Sequence, residues 1–382
     1  MSYDVDLLRR EEFPWAARGE AVYLNHASTG ALPQRTVRTV TDWIQRRAEP
    51  WRIAEGESFE MLARGRQLVA RLVGADPGEI ALMPNTGVGL NLAAFALPLE
   101  PGDVVLTPDL EFPANVYPWM ALAERRGVIY RRVPCTNGVI DEGRLLRELE
   151  DPAVKVLALS WVGFATGARV DLAALGRACR ARGVWFVVDA IQGLGVVPLD
   201  LRHCHVDILA CGAQKWLLSP WGTGFTYVRR ELVRRLDPQV VGWVAVRGSD
   251  DFTRLLDYDL TWRDDARRFE LLTLGYQDFA GMNESLALLL ELGPARIAAH
   301  IERLVSRIIA WAAEHPEVAL VTPAEPARRA GIVSLRLPDP PAAATRLREA
   351  KVAFSLREGS IRLSPHCYTN DDDIERALAA LL

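Results

Sequence analysis

Lysine is scarce in this sequence. The 382-residue chain has 45 basic residues, but only Lys155, Lys215 and Lys351 among them are lysines. A genome rich in G and C explains much of that bias towards arginine. Because arginine keeps its proton in proteins, these three side chains are the only lysine amines that could do covalent chemistry.

Other features are also missing. The five cysteines are scattered and form no CxxC pair, which predicts a reducing compartment and no metal cluster. The most apolar runs, 153–165 and 184–199, are interrupted by Lys155 and Asp189 and are shorter than the roughly 18 residues of a membrane helix. The first residues include acids and no apolar core, unlike a signal peptide. We therefore expect a cytoplasmic protein.

The net charge of −4 argues against electrostatic binding of nucleic acid or membranes. With 49% hydrophobic and 25% charged residues, the composition is that of a globular chain. At roughly 150 residues per domain, its length predicts two domains. No disulfide or structural metal is needed to stabilise a chain this long.

Short apolar runs alternate with helical patterns over most of the chain. Nearly continuous apolar strands separated by helices predict a mostly parallel sheet covered on both faces, which is an α/β fold. After residue 285 the pattern changes to long helices and short strands, typical of a smaller α+β domain. We predict a large domain of residues 16–284 and a small domain of 1–15 and 285–382. The expected strands of the sheet are 80–83, 103–107, 128–133, 154–160, 184–189, 206–211 and 224–228.

Two charged residues follow strands of this sheet. Asp189 ends an apolar run, and Lys215 follows the next strand 26 residues later. An aspartate at this position is often only a helix N-cap. Lysine, however, is costly beside an apolar run unless it is neutralised, paired or covalently bound. Pyridoxal phosphate (PLP) needs such a pair, with an amine for a Schiff base and a carboxylate that keeps the pyridine nitrogen protonated.

The segments Val187–Gly193 and Ile208–Trp216 resemble the aminotransferase class V group of fold type I PLP enzymes. That group includes cysteine desulfurases, selenocysteine lyases, kynureninases and isopenicillin N epimerases. The resemblance extends from Tyr23 to about Glu375. It implies that Lys215 carries the cofactor and acts at the substrate α-carbon, and that Asp189 binds the pyridine nitrogen.

Asn85-Thr86-Gly87-Val88-Gly89 resembles the family's phosphate loop, where a glycine-rich turn opens a helix. The resemblance implies that Thr86, Gly87 and Val88 hold the cofactor phosphate. It also places Gln214 near the cofactor. Desulfurases have a serine and a histidine where this chain has Gly212 and Gln214, so some phosphate contacts must differ.

Further matches concern the pyridine ring and a second subunit. Phe112 lies where the family stacks an aromatic ring on the pyridine, and Gln192 matches the residue that binds its phenolic oxygen. The segment 268–273 resembles a motif whose threonine, Thr273 here, reaches the phosphate of a neighbouring subunit. This implies a homodimer with shared active sites. Leu272 replaces the motif's glycine.

Two segments resemble those that bind substrate in the family. The stretch 24–30 implies substrate contacts by Asn25 and His26, although a capping or turn role fits His26 equally well. The stretch 361–366 implies that Arg362 grips a substrate carboxylate, for which a planar, bidentate donor is suited.

The reaction stays open at this stage. Desulfurases of this fold carry a cysteine shortly before the substrate arginine, but residues 331–362 contain none, and Cys367 follows Arg362. The segment 356–366 looks closest to the epimerase-like branch. We expect a PLP enzyme that acts at the α-carbon of an amino acid or a derived metabolite. The alternatives are a C–S β-lyase or desulfurase-like activity, and a catalytically silent binding protein.

Overall fold

The computed structural model describes residues 3–136 and 138–382. Its α/β architecture is built on a seven-stranded sheet and a separate four-stranded sheet. The strands of the described residues are β1 (Val22–Tyr23), β2 (Ile80–Leu82), β3 (Val104–Pro108), β4 (Ile129–Val133), β5 (Val154–Ser160), β6 (Trp185–Asp189), β7 (Ile208–Gly212), β8 (Gly224–Val228), β9 (Ala319–Leu320), β10 (Val333–Arg336), β11 (Val352–Ala353), β12 (Ser355–Arg357) and β13 (Ser360–Leu363).

The large sheet has the order β2-β8-β7-β6-β5-β3-β4. Strands β3 to β7 run parallel, whereas β8 is antiparallel to both β7 and β2. The prediction of a mostly parallel sheet is therefore confirmed. All seven strands lie within two residues of the runs expected from the sequence.

Helices connect these strands and cover the sheet. The helices of the described residues are α1 (Val5–Glu12), α2 (Pro14–Ala17), α3 (Gln34–Ala48), α4 (Glu57–Val73), α5 (Thr86–Ala96), α6 (Tyr117–Arg126), α7 (Glu142–Glu148), α8 (Leu172–Arg182), α9 (Arg230–Val233), α10 (Tyr276–Leu292), α11 (Pro294–Ala313), α12 (Pro340–Glu349) and α13 (Asp371–Ala379). Single 3₁₀ turns lie at Pro50–Arg52, Pro77–Glu79, Pro113–Asn115, Leu201–His203, Trp243–Ala245, Ala266–Phe269 and Pro326–Arg328. Among the residues described, no helix is both long and apolar enough to cross a membrane.

The core lies on both faces of the large sheet. In β5, Leu157 and Leu159 belong to one buried cluster, and Val156 and Ala158 belong to another. Since successive side chains of a strand point to opposite faces, both faces of this central strand are covered. This double burial explains why the strands read as continuous apolar runs.

The small sheet has the order β12-β13-β10-β9. Beside it, β1 pairs in parallel with β11, and Asn25 forms a bridge to Ser364. The N-terminal segment thus joins the C-terminal elements as far as residue 25, beyond the predicted boundary at residue 16. The other predicted boundary, at 284, falls inside α10. Both boundaries were placed by pattern alone, which could not detect this long-range strand pairing or the continuity of α10.

Candidate active site

Asp189 and Lys215 lie at the carboxyl ends of neighbouring parallel strands. Asp189 is the last residue of β6, where it pairs with Ser160 of β5 and Ala210 of β7. Lys215 follows the end of β7 by three residues. Open α/β sheets bind ligands at this edge, because the loops there diverge and leave a crevice.

Burial and mutual attraction set the charges of this pair. Asp189 is 3% exposed, and burial raises its pKa to about 6, although the Ile191 N–H at 3.0 Å and the Lys215 charge oppose the rise. Burial lowers the pKa of Lys215 to about 8, while Asp189 raises it and Arg362 lowers it further. At neutral pH the carboxylate is therefore mostly ionised, and part of the amine is neutral and nucleophilic.

Phe112 lies over the amine. Its ring centroid is 5.6 Å from Lys215 Nζ, and the ring meets Phe164 edge to face at 5.4 Å. The Phe112 side chain is 44% exposed, which is unusual for a phenylalanine. An open aromatic face beside a reactive amine suits a planar ring bound between them.

The helix α5 begins at the same edge of the sheet. Asn85 caps it by accepting the Val88 N–H at 3.1 Å, so the Val88 amide is already satisfied and is not free for a phosphate. Thr86 Oγ1 accepts the N–H of Gly212 at 2.8 Å, which ties the helix to the end of β7. This hydroxyl can still donate its own hydrogen, and the helix terminus favours an anion.

The glycine at position 212, where desulfurases have a serine, has a local explanation. A Cβ added at Gly212 would lie 2.5 Å from Gln214 Oε1, so the Gln214 side chain occupies that space. Gln214 Oε1 is buried without a hydrogen-bond partner in the described part of the chain. Rotation of this amide by 180° would present its NH₂ group in place of the oxygen, as a donor for an anion.

Gln192 connects three segments of the site. Its Nε2 donates to the Ala27 carbonyl at 2.9 Å, and its Oε1 accepts the Trp216 indole N–H at 2.7 Å. One amide hydrogen is left over for a ligand. Gly30 also connects this segment to the lysine loop, because its N–H donates to the Gln214 carbonyl at 2.8 Å. The two backbones are so close that a Cβ at Gly30 would lie 2.0 Å from the Lys215 carbonyl oxygen.

Arg362 is a buried cation without an acidic partner among the described residues. It is 2% exposed and donates to Ser355 Oγ at 3.0 Å, the Phe164 carbonyl at 2.6 Å and Ser28 Oγ at 2.8 Å. Burial, followed by the charge of Arg357, lowers its pKa to about 10. Because a buried charge is costly unless compensated, this guanidinium is suited to an incoming carboxylate.

The two other residues predicted to contact substrate differ in placement. His26 is fully buried, with Nδ1 2.8 Å from the Ser364 carbonyl oxygen and Nε2 2.8 Å from the Tyr368 hydroxyl. Both ring nitrogens therefore support the packing of the C-terminal segment, which fits the capping or turn role, and substrate contact by His26 stays a prediction. Asn25 Oδ1, in contrast, is buried with no partner in the described structure.

Thr273 does not join the cluster within this chain. It is exposed, lies three residues before α10, and makes no hydrogen bond to the residues above. Its predicted role involves a second subunit.

Sequence reasoning missed Glu111. Its Oε1 accepts the Ser160 N–H at 2.8 Å, and its Oε2 accepts the Ser160 hydroxyl at 2.6 Å and Asn115 Nδ2 at 2.9 Å. Burial raises its pKa to about 7, although the Ser160 and Asn115 hydrogen bonds oppose the rise and the Asp189 charge adds to it. Glu111 thus fixes the end of β5 beside Asp189. The sequence feature that could have identified Glu111 is an acidic residue three positions after the buried strand β3.

Known proteins resemble this arrangement. The sequence model of the aminotransferase class-V family matches residues 22–376. Isopenicillin N epimerase of Streptomyces clavuligerus is 31% identical over 94% of each chain. A probable cysteine desulfurase of Methanothermobacter thermautotrophicus is 30% identical over 73% of this chain and 69% of its own.

A solved protein, C-DES, has the same fold. A lysine-to-alanine mutant of C-DES, with glycine linked covalently to the PLP cofactor, superimposes with a TM-score of 0.89 at 25% identity over 98% of each chain. A second structure shows C-DES, a cystine C–S lyase, in complex with its reaction product cysteine persulfide. It superimposes with a TM-score of 0.87 at 25% identity, over 96% of this chain and 98% of that chain.

The chain belongs to the aminotransferase class-V family, and its fold is that of fold type I PLP enzymes. It is a PLP-dependent enzyme, and the residues fit that cofactor. The site offers an amine with a lowered pKa, a buried carboxylate and an open aromatic face. Near a helix N-terminus it also offers the Gln214 amide, whose oxygen has no partner among the described residues and whose NH₂ group, once the amide is rotated, would donate to an anion.

Proposed function

We propose that this enzyme acts at the α-carbon of an amino acid or an amino-acid-derived metabolite, as an epimerase-like or aminotransferase-like member of its family. The observation that carries this proposal is that Arg362 is buried with no acidic partner in the described part of the chain, in the same site as Lys215, whose pKa it lowers. A guanidinium that grips an α-carboxylate would fix the α-carbon near the amine.

Each residue of the site has a separate task in this proposal. When bound, PLP supplies an electron sink for negative charge at the α-carbon. Lys215 holds the cofactor and, once released, moves the proton at that carbon. Asp189 keeps a proton on the pyridine nitrogen, and Phe112 packs on the ring. Thr86, Gly87 and Gln214 bind the phosphate, and Gln192 donates its free N–H to the phenolic oxygen.

The pKa of Lys215 predicts how cofactor capture depends on pH. Only the neutral amine attacks an aldehyde, and with a pKa of about 8 roughly one-tenth of it is neutral at pH 7. For protein stripped of cofactor, we expect the rate of PLP capture to rise about tenfold per pH unit up to pH 8 and to level off above. Stopped-flow absorbance measures this rate. A plateau beginning only near pH 10 would contradict the lowered pKa.

A C–S β-lyase or desulfurase-like activity is the second candidate, and it is favoured by the similarity to C-DES and to the desulfurase. A persulfide mechanism needs a thiolate at the substrate. Cys135 lines the cavity beside the site. Burial, followed by Asp109, raises its pKa to about 12, however, so it is a poor thiolate. Cys367 is fully buried, and burial raises its pKa as well.

We expect Cys135→Ser and Cys367→Ala to leave chemistry at the α-carbon within about twofold of the unmodified enzyme, since neither thiol is ionised at neutral pH. Exchange of the α-hydrogen for deuterium, measured by NMR, checks this. Melting temperature of each variant separates loss of folding from loss of chemistry. If either variant is folded and cofactor-loaded but inactive, the desulfurase interpretation moves to first place.

The third candidate, a silent binding protein, has less support. Such a protein no longer needs a reactive amine, yet burial, with a smaller effect of the Arg362 charge, lowers the pKa of Lys215 to about 8. An amino-acid panel in deuterated water tests all three candidates. Deuterium at the α-carbon, keto acid and sulfide report epimerase-like chemistry, transamination and C–S cleavage, respectively. PLP bound to Lys215 with none of these products would favour the silent protein.

We also propose a homodimer with shared active sites, in which Thr273 reaches the partner's phosphate site. The segment 240–262 supports it by exposing several large apolar side chains, which monomers rarely do. Their exposed fractions range from 45% to 88%: Val240, Val241, Trp243, Phe252, Leu255, Leu256, Tyr258 and Leu260. Sedimentation velocity should give twice the mass of one chain, whereas a monomer at micromolar concentration would contradict the proposal.

We propose a cytoplasmic location. All five cysteines are free in the structure, which fits a reducing compartment. Cell fractionation with an antibody against the protein tests this, and recovery outside the cytoplasm would overturn it.

A further inference from the structure

The small sheet presents Arg362 and Arg357 on one face. In the β12–β13 hairpin, Ser355 pairs with Arg362, and Arg357 pairs with Ser360. Paired residues share a face, as do alternate residues of one strand. All four side chains therefore lie on the face that carries Arg362 into the active site.

Strand β10 adds another arginine to this face. Ser334 pairs with Arg362 across β10 and β13. Continuing that antiparallel register by two residues places Arg336 beside Ser360, on the side opposite Arg357. Arg336 and Arg357 thus flank Ser360 from the two neighbouring strands.

These three residues line a cavity of about 440 Å³. The same cavity is lined by Phe164, whose carbonyl accepts a hydrogen bond from Arg362 and whose ring touches Phe112. Through Phe164, the cavity borders the part of the site that holds Arg362 and Phe112.

Both outer arginines lack a carboxylate partner among the residues that the structure describes. Both are exposed, and Arg357 Nη1 donates only to the carbonyl of Leu356, at 3.0 Å. Arg169, a third arginine of the wall, is already bound to the Ala327 carbonyl.

The acids of the wall do not neutralise these arginines. Asp109 accepts the Cys135 N–H, and Glu111 is held by Ser160 and Asn115. Glu358, at the hairpin turn, forms no ion pair within 4.0 Å in the described structure. Arg357 also lowers the pKa of both Lys215 and Arg362, an effect smaller than that of burial, so its charge lies near the reacting amine.

Building on the proposed function, we propose that Arg336 and Arg357 bind a second carboxylate of the substrate, and that the preferred substrates are dicarboxylic amino acids. Arg362 takes the α-carboxylate, and the two outer arginines take the distal one. Diagonal positions on paired strands are roughly 7–8 Å apart, a spacing that a short aliphatic side chain can bridge. Arginine suits both carboxylates of such a substrate, because the planar guanidinium can donate two parallel N–H groups to the two oxygens of a carboxylate.

Binding of unreactive acids tests this proposal apart from catalysis. Glutarate and pentanoate have five carbons each but two and one carboxylates, and calorimetry measures their affinities for the PLP-loaded protein. We expect glutarate to bind at least about tenfold more tightly, since a charged hydrogen-bonded pair adds that much. In the double variant Arg336→Ala/Arg357→Ala, glutarate should bind only as tightly as pentanoate, with pentanoate unaffected.

Arg71→Ala is the matched control, because Arg71 is an exposed arginine of α4 on the large domain. It should keep the full preference for glutarate. Equal affinities in the unmodified protein, or a preference that survives in the folded double variant, would overturn the proposal. Deuterium exchange at the α-carbon across the amino-acid panel, measured on the same samples, distinguishes the two failures: exchange with no glutarate preference rejects the substrate class alone, and no exchange rejects the proposed function itself.

Discussion

Replacing Lys215 with alanine is expected to lower turnover at the α-carbon by about four orders of magnitude, because the change removes both the cofactor's covalent link and the group that moves the α-proton. Deuterium incorporation at the α-carbon measures the loss. After borohydride reduction, peptide mapping of the unmodified protein should place the pyridoxyl group on Lys215.

The other two lysines provide matched controls. Lys155 donates to the Pro152 carbonyl at 2.9 Å, and Lys351 lies between α12 and β11. Lys155→Ala and Lys351→Ala should keep full activity. A pyridoxyl label on either of them, or an active Lys215→Ala variant, would refute the assignment of Lys215.

Asp189→Asn is expected to lower turnover by about three orders of magnitude while part of the cofactor binding survives. Asparagine keeps the shape and can still accept the Ile191 N–H, but it has no charge with which to hold a proton on the pyridine nitrogen. The reaction rate under single-turnover conditions measures the loss of catalysis, and absorbance measures how much cofactor stays bound.

Asp171→Asn is the matched control, because it makes the same aspartate-to-asparagine replacement at a helix cap. Asp171 caps α8 by accepting the Ala174 N–H at 2.9 Å, and asparagine caps a helix as well as aspartate does. That variant should remain fully active. Near-normal activity in Asp189→Asn would mean that another group protonates the ring nitrogen.

Much of the seven-stranded sheet could be predicted from the sequence. The run Val154–Ser160 was predicted with the same bounds that the structure gives, because a strand buried on both faces is apolar throughout and ends at polar residues. Strand β12 was missed, since Ser355–Arg357 is short, lies at a sheet edge and has two exposed residues, which leaves no apolar pattern.

The candidate site was predicted less evenly. Lys215 and Asp189 stood out because charge beside an apolar strand is rare and needs a reason. The packing role of His26 was concealed, because its neighbours in the sequence do not reveal Ser364 and Tyr368, more than 300 residues away, which hold its ring. Distance along the chain likewise concealed Ser28 and Phe164, which lie 334 and 198 residues before Arg362, as its partners.

By itself, the sequence determined the parallel sheet, the lysine–aspartate pair at its edge and hence the cofactor, because apolar periodicity and costly charges are local properties. Only the tertiary structure decided which charges are compensated. Within residues 3–136 and 138–382, it revealed Arg362 as buried without an acid and the Val88 N–H as already bonded to Asn85. It also placed Cys135 beside the cavity and Arg336 and Arg357 on one face of the small sheet. Those facts depend on strand register and long-range contacts, which join residues far apart in the chain.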